Sequence, residues 1–408
     1  MKAVILCAGL GTRLRPLTDT IPKVMVSIGG KPLLQHHIEW LVGSGIRDIG
    51  VNLFYLPDII TDFLGDGSRF GARIHYSRQE TLSETATGFK KFKDFIGDDT
   101  CLIVYGDNFF SLDAEDFLAY HQKKGGAVSI ALKEWEHPET KGIVGQDDSG
   151  KILWFKEKPQ KEEITTSIGN AGIYLVEPGI FSHIPDDKDY DFGKDIFPAL
   201  LKEDVKMYGY FLKEHHIDIG TPEALITAQE QYHRIYNRHA VFFDRDGVLN
   251  KSALPHEYIT NFNELIWNDK AKELIKKLKA LGFLVLVVSN QQGIAKGKMT
   301  KKFVDDLHKR MNEEVKELGS QIDGFYYCPH HAEDECSCRK PKPGLFFKAG
   351  GIHKIDLKKS FMIGDNKSDI EAAQKAGCCG ILITTNEINI PFILEKIGAT
   401  TSFQQEDQ

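Results

Sequence analysis

Short, apolar strand-like runs alternate with longer stretches in which apolar positions recur at helical spacing, and the alternation occurs in both halves of the chain. Ala3–Leu6, Cys101–Tyr105, Phe283–Val288 and Ser360–Ile363 are runs of the first kind. Continuous rather than alternating apolar character is what a strand covered on both faces requires. The amphipathic stretches between the runs supply the cover, so the pattern predicts an α/β chain built on parallel sheets. Pro222–Asn237 reads as a helix closing a first unit, and a new strand begins at Ala240. The boundary therefore falls at 235–239, giving domains 1–236 and 237–408 with almost no linker. There is no repeat of fixed period and no low-complexity tract, and the polar tail Ser402–Gln408 is expected to fray.

Composition narrows the function. A chain of 408 residues has room for about two or three full cores. With 41% hydrophobic and 27% charged residues it has the balance of a soluble protein, and a net charge of −7 disfavours nucleic acid or an anionic membrane as partner. Small molecules are the expected ligands. Gly9, Gly11, Arg13 and Arg15 break the first apolar run before a signal-peptide core can form, and no stretch approaches a membrane span, so a cytoplasmic location is expected. Three of the seven cysteines fall between Cys328 and Cys338. In a reducing compartment such a cluster reads as a metal site rather than as disulfides.

In the first half, Ala3–Leu6 runs into CAGLGTRLRPLTDTIPKVM, residues 7–25. Gly9 and Gly11 allow close approach of a phosphate, loop amides and a following helix N-terminus would cradle it, and Arg13 and Lys23 add positive charge. The spacing of Arg13, Pro16, Pro22 and Lys23 resembles the signature of the sugar-nucleotide pyrophosphorylases, GGxGTRLxPLTxxxPKxM, with Ala8 in place of the first glycine. The motifs YGDN (105–108), FKEKP (155–159), NAGIY (170–174) and IDIGTP (217–222) follow in that family's order. The resemblance implies a Rossmann-like domain with a mixed, mostly parallel sheet and a reaction in which a sugar 1-phosphate attacks the α-phosphorus of a nucleoside triphosphate. It assigns Arg13 and Lys23 to catalysis on the phosphates, and Gly9, Gly11 and Thr12 to the nucleotide. Asp107 and Asp218 fall to Mg²⁺, and Gly142, Glu157, Lys158 and Asn170 to the sugar. Gln79–Ala86 occupies the base-recognition stretch, with Gln79 as a contact and Glu84 where the family has glycine. A carboxylate accepts hydrogen bonds only, so Glu84 or Glu80 facing the N–H edge of guanine would favour GTP.

In the second half, FFDRDGVLN (242–250) places two aspartates one residue apart at the end of a strand. The motif resembles the first motif of the haloacid dehalogenase superfamily of phosphatases, and VVSNQQG (287–293), RKPKPG (339–344) and MIGDNKSD (362–369) follow in order. The resemblance implies a Rossmannoid domain in which Asp244 is the nucleophile and Asp246 the proton shuttle. Ser289 and Lys340 would hold the phosphate, Lys340 being preferred over Lys342. Asn290 and Arg339 would contact substrate, and Asp244, Asp246 and Asp365 would hold Mg²⁺, with Asp369 a weaker candidate. Cys328, His330, Cys336 and Cys338 suit structural Zn²⁺, with His331 as the competing histidine. Together with DRDGVLN and CRKPKPG, these residues resemble the heptose bisphosphate 7-phosphatases and the related histidinol phosphatases over residues 240 to about 390. The segment Lys251–Trp267 is short, so a minimal cap is expected.

The pairing implies consecutive steps: removal of the 7-phosphate from a heptose 1,7-bisphosphate, then nucleotidyl transfer to the heptose 1-phosphate. A mannose or glucose 1-phosphate substrate, a histidinol phosphate substrate and a non-catalytic first half are the alternatives. The oligomeric state stays open, a homo-oligomer included.

Overall fold

The computed structural model describes residues 1–253 and 257–403. The chain divides into two compact units, one of residues 1–68 and 72–233, the other of 69–71 and 234–408. Of the polar tail, residues 402–403 finish the helix Ile390–Phe403, and 404–408 lie outside the described residues. No helix among the described residues is long and apolar enough to cross a membrane.

The first unit is built on a nine-stranded mixed sheet. Its parallel half runs Arg73–Arg78, Asp48–Leu53, Lys2–Leu6 and Cys101–Tyr105, with Leu6 opposite both Asn52 and Tyr105. Ala3, Val4 and Ile5 are wholly buried, which is the burial that a continuous apolar run foretells. Beyond Cys101–Tyr105 the sheet turns antiparallel through Ile168–Val176, which pairs in turn with Val128–Glu134 and Gly142–Gln146. Phe89, Phe181, Phe192 and Phe197 fill the core on one face, Phe89 and Phe181 stacked at 5.0 Å. A separate two-stranded ribbon pairs Asp218 with Asn108, and so carries Asp218 to the end of the strand that delivers Asp107.

The second unit is a five-stranded, all-parallel sheet in the order Gly324–Cys328, Leu284–Asn290, Ala240–Phe243, Phe361–Gly364, Cys379–Leu382. Phe243 lies opposite Val287 on one side and Ile363 on the other. The three motif-bearing strands are therefore neighbours, with Asp244 leaving the central one. The helix Lys301–Lys316 is capped by Thr300, whose hydroxyl accepts from the Phe303 N–H, and buries Val304, Leu307, Met311 and Val315. Residues 254–256 of the predicted cap segment lie outside the described residues, and the remainder of that segment holds one 3₁₀ turn, Phe262–Glu264.

Candidate functional sites

In the first unit, the Cys7 N–H donates to Asn52 Oδ1 at 2.5 Å, anchoring the start of the glycine loop on the neighbouring strand. Gly11 takes φ +63, and a Cβ there would come within 3.0 Å of Lys23 Cβ, so glycine is required on two counts. Thr18 Oγ1 closes the turn by donating to the Gly11 carbonyl at 2.7 Å. The sequence suggested a helix after this loop. The structure has instead a three-residue 3₁₀ turn, Thr12–Leu14. Three residues cannot build a helix dipole, so the cradle rests on loop amides and side chains.

Lys23 is buried, and its ammonium stands 2.5 Å from Asp107 Oδ2 and 3.8 Å from Asp218 Oδ1. Arg13 reaches the same place, because a Cβ on Gly220 would sit 2.9 Å from its Nη2. Lys141 is ion-paired with Asp218 Oδ2. Burial pushes the Asp218 carboxyl up, but Lys141, Lys23 and Arg13 outweigh it and hold the group below its ordinary value. Asp218 Oδ1 is buried with no hydrogen-bond partner. Two carboxylates at the end of a parallel sheet, one with a spare buried oxygen, are a donor set that Mg²⁺ fits.

A cleft lined by Cys7, Gly9, Lys23, Asn52, Glu84 and Asp107 opens beside this cluster. Both polar atoms of the Gln79 amide and the Ser83 hydroxyl are buried without partners. They converge with Asn52, since a Cβ on Gly88 would lie 3.0 Å from Asn52 Nδ2 and Gln79 Nε2 and 3.5 Å from Ser83 Oγ. Glu84 is differently placed: its carboxylate accepts from Lys194 at 3.0 Å. Glu80 is exposed. The Glu157 carboxylate lies against Gly142 and Gly193, where a Cβ would come within 2.6 and 2.5 Å of Oε2. Burial, then the Asp191 charge, raises its pKa. The Lys158 N–H donates to the Lys141 carbonyl at 2.9 Å. Asn170 turns inward, donating to Tyr174 Oη and accepting from the Gly172 N–H, both at 2.7 Å.

In the second unit, Lys340 is buried and its ammonium binds Asp244 Oδ1 at 2.9 Å, Asp369 Oδ1 at 2.6 Å and the Val288 carbonyl at 2.9 Å. Lys342 instead donates to the Glu335 carbonyl at 2.8 Å. Burial raises the Asp244 pKa, Lys340 opposes it, and Asp369 and Asp246 add to it, carrying it to about 7. Asp244, Asp365 and Asp369 bring carboxylate oxygens within 4.8 Å of one another. Three carboxylates against one ammonium leave an excess of negative charge that a dication would balance. Asp246, expected among the metal ligands, is absent from that cluster and Asp369 stands there instead. The reason is Arg245, fully buried, whose Nη2 donates to both Asp246 oxygens at 3.0 and 2.8 Å. Asn250 and Gln291 add donors at 2.9 Å each. Burial would raise the Asp246 pKa; Arg245 and these amides bring it below the ordinary value.

Gly247 takes φ +86, and a Cβ there would collide with Asp365 Oδ2 and come within 2.8 Å of Ser252 Oγ. Asp365 Oδ2 accepts from Thr385 Oγ1 at 2.8 Å. Ser289 is buried and accepts from Gln291 Nε2 at 2.7 Å. Asn290 spends its amide on the Lys340 backbone, at 3.0 and 3.1 Å, clamping that residue rather than facing a substrate. Arg339 donates weakly to Gln292 at 3.4 Å, and its Nη1 is buried without a hydrogen-bond partner.

The Sγ and Nδ1 atoms of Cys328, His330, Cys336 and Cys338 also fall within 4.8 Å of one another. Adjacent atoms are 3.2 to 3.5 Å apart. Zn–S and Zn–N bonds of about 2.3 and 2.0 Å give tetrahedral edges of about 3.5 Å between S and N and about 3.8 Å between two S atoms, so the spacing, slightly tighter than this, suits zinc. Of the two histidines, His330 is the one whose ring nitrogen lies with the thiols, whereas the His331 backbone N–H donates to Asp334 Oδ2 at 2.7 Å.

The profile described as Nucleotidyl transferase matches residues 2–235, more than half of the chain. The chain belongs to the nucleotidyl transferase family. A profile described as HAD-hydrolase-like matches residues 337–391 in the second unit, in agreement with its Rossmannoid parallel sheet. The UTP–glucose-1-phosphate uridylyltransferase of Synechocystis sp. is 38% identical over 233 residues, 54% of this chain and 60% of that protein. The mannose-1-phosphate guanylyltransferase of Mycobacterium tuberculosis is 32% identical over 227 residues, 55% of this chain and 63% of that protein. The chain thus spans under two thirds of either relative's length. A Bacillus anthracis structure described as a glucose-1-phosphate thymidylyltransferase in complex with a sucrose aligns with TM-score 0.52 and 28% identity. It covers 57% of this chain and 94% of its own. A UDP-glucose pyrophosphorylase complexed with UDP-glucose, 21% identical with TM-score 0.51, covering 57% of this chain and 98% of its own, shares the fold.

Around this nucleotidyl transferase site the sequence reading missed Asn52, Lys141 and Trp135, whose ring centroid lies 4.3 Å from the Lys141 ammonium, and in the second unit Arg245, Gln291 and Thr385. Gln291 and Arg245 carried a signal, since each lies inside a motif, VVSNQQG and FFDRDGVLN. Thr385 carried none: it is 20 residues from the aspartate it touches.

Proposed function

We propose that the chain is a bifunctional enzyme of nucleotide-sugar formation, with residues 1–236 transferring a nucleotidyl group to a sugar 1-phosphate and residues 237–408 removing a phosphate from the sugar bisphosphate that precedes it. The observation that carries the reading is the buried Asp244–Lys340–Asp369 cluster beside Asp365, on the same chain as a nucleotidyl transferase site. A transferase of this kind needs a sugar phosphorylated at the anomeric carbon, and a phosphatase acting on a bisphosphate supplies one.

In the transferase, the sugar 1-phosphate oxygen attacks the α-phosphorus in line, the bond to the β-phosphate oxygen breaks, and pyrophosphate leaves. Arg13, Lys23 and the loop amides around Gly9, Gly11 and Thr12 hold the triphosphate, and Gly142, Glu157 and Lys158 hold the sugar. Asp107 and Asp218 would carry Mg²⁺, whose contribution is charge neutralisation. In the phosphatase, the Asp244 carboxylate attacks phosphorus, forming an aspartyl phosphate. The ester P–O bond breaks as Asp246 gives a proton to the leaving oxygen; Asp246 then takes a proton from a water that attacks phosphorus, and the P–O bond to Asp244 breaks to release inorganic phosphate. The four donors to Asp246 favour the second of its roles. Mg²⁺ would be held by Asp244, Asp365 and Asp369, and Arg339, with a spare buried N–H, would bind the rest of the substrate.

The proposed substrate is heptose 1,7-bisphosphate, and GTP the nucleotide. The Gln79 amide offers donor and acceptor atoms, which suit guanine and uracil alike; the Ser83 hydroxyl adds an acceptor for the exocyclic amine that guanine has and uracil lacks. Glu84 is already paired with Lys194, whereas the Ser83 hydroxyl has no partner to give up. Ser83→Ala is expected to lower the GTP-to-UTP preference about tenfold, on the scale of one lost hydrogen bond, while Gln79→Ala weakens both. KM values for the two nucleotides check this. A matrix of GTP, UTP and dTTP against heptose, mannose and glucose 1-phosphates, with heptose 1,7-bisphosphate and histidinol phosphate tested for phosphate release, tests the whole. If the bisphosphate is not hydrolysed, the two-step reading fails.

The proposed Zn²⁺ closes the loop Cys328–Cys338. The purified protein is expected to carry about one zinc per chain, and Cys336→Ser to lose it along with phosphatase activity, because structural zinc contributes folding energy. Elemental analysis with phosphate and pyrophosphate assays checks this, the transferase being unaffected.

A further inference from the structure

Lys141 and Trp135 lie outside every motif in the sequence, yet they border the transferase carboxylates. The Lys141 ammonium, paired with Asp218, lies 4.3 Å from the centroid of the Trp135 ring. Lys133 lies at 4.3 Å from the same centroid, but its ammonium donates to the His216 carbonyl at 2.8 Å. Trp135 is set edge-on to His216 at 5.5 Å, and its indole N–H is buried without a hydrogen-bond partner. That N–H is close to the sugar-proposed strand: a Cβ on Gly169 would be 3.3 Å from Nε1. Lys133 is thus fixed by a backbone acceptor. Among the described residues Lys141 is held by the Asp218 carboxylate, proposed as a metal ligand, and by the Trp135 ring face, on a backbone that adjoins Gly142 and pairs with Lys158.

Oδ1 of Asp218 is free for a dication while Oδ2 holds Lys141, but the two cations repel and compete for one negative charge, so a metal ion on Oδ1 weakens the hold on the Lys141 ammonium. We propose that Lys141 is a phosphate-binding arm: it neutralises Asp218 while no metal stands there, and turns across the Trp135 face onto the sugar 1-phosphate when one does. This rests on the nucleotidyl-transfer reading. The indole face lets the ammonium leave one anion for another without passing through an unpaired state. The gain is electrostatic, because a sugar phosphate dianion must approach a triphosphate and an added positive charge lowers that repulsion.

Lys141→Met, Lys141→Arg and Trp135→Phe in the full-length chain test it. Without nucleotide, Mn²⁺ binding to Lys141→Met, followed by electron paramagnetic resonance, is expected to tighten about threefold or more, because a competing cation is gone. KM for the sugar 1-phosphate, measured with heptose, mannose and glucose 1-phosphates, is expected to rise about tenfold, as for a lost charge-assisted hydrogen bond, with KM for the nucleotide within about twofold. Lys141→Arg restores most of the sugar phosphate affinity, and Trp135→Phe moves KM the same way by less. A lysine that only balances a buried charge would leave the sugar phosphate KM unchanged, and that result overturns the proposal, as does weaker Mn²⁺ binding. If Lys141→Met does not fold, Trp135→Phe decides by the same KM. Wild-type protein that makes no nucleotide sugar from any donor sinks the transferase reading, whereas an active wild type with an indifferent Lys141→Met sinks this inference alone.

Discussion

Asp244→Asn is expected to abolish phosphate release from a sugar bisphosphate, by about four to six orders of magnitude, as removal of a covalent nucleophile does. The substitution keeps the shape of the side chain, and the amide oxygen can still accept from Lys340, which retains Asp369 at 2.6 Å. The fold should therefore persist, and thermal melting should change little. What is lost is the negative oxygen that attacks phosphorus. Because the two chemistries are assigned to different units, pyrophosphate release from a triphosphate and an authentic sugar 1-phosphate should remain at the wild-type level. Parallel phosphate and pyrophosphate assays on one preparation check both halves. Loss of both activities would mean that the division of labour is wrong, and survival of phosphate release would remove Asp244 as nucleophile.

What the sequence made legible follows from what local chemistry can encode. The buried strands were readable because a strand covered on both faces must be apolar throughout, as Ala3–Ile5 and Val241–Phe243 are. The aspartates at strand ends were readable because their motifs place them, with the five-stranded order 324–328, 284–290, 240–243, 361–364, 379–382 then bringing three motifs side by side. Partner choice was not readable. Glu84 pairs with a lysine 110 residues away, and Lys141 with an aspartate 77 residues away, so neither pairing leaves a trace in spacing. Asp246 illustrates the same limit at short range: its neighbour Arg245 could have faced solvent, and only burial against His308 and the Asp246 carboxylate turns it inward. The helix expected after the glycine loop failed for a local reason, since Pro16 and Pro22 flank residues that form only 3₁₀ turns.

Lys23→Met is expected to have the mirror effect, lowering nucleotidyl transfer by about three orders of magnitude, the scale of a lost charge stabiliser at a phosphoryl centre, while leaving phosphate release intact. Lys23 is the more buried of the cations at this site, and its 2.5 Å contact with Asp107 leaves that carboxylate without its nearest positive charge when it is removed. Two consequences have opposite signs. The triphosphate loses a cation and binds less well. Asp107, left unmatched beside Asp218, attracts a divalent ion more strongly, so metal titration should show tighter binding in the variant without nucleotide. Arg13 remains beside Asp218 and cannot compensate, because it reaches the site from the Gly220 side. Raising Mg²⁺ should therefore not rescue turnover: the deficit lies at the phosphates rather than in metal occupancy. Rescue at high Mg²⁺ would show instead that Lys23 acts by holding Asp107 in place.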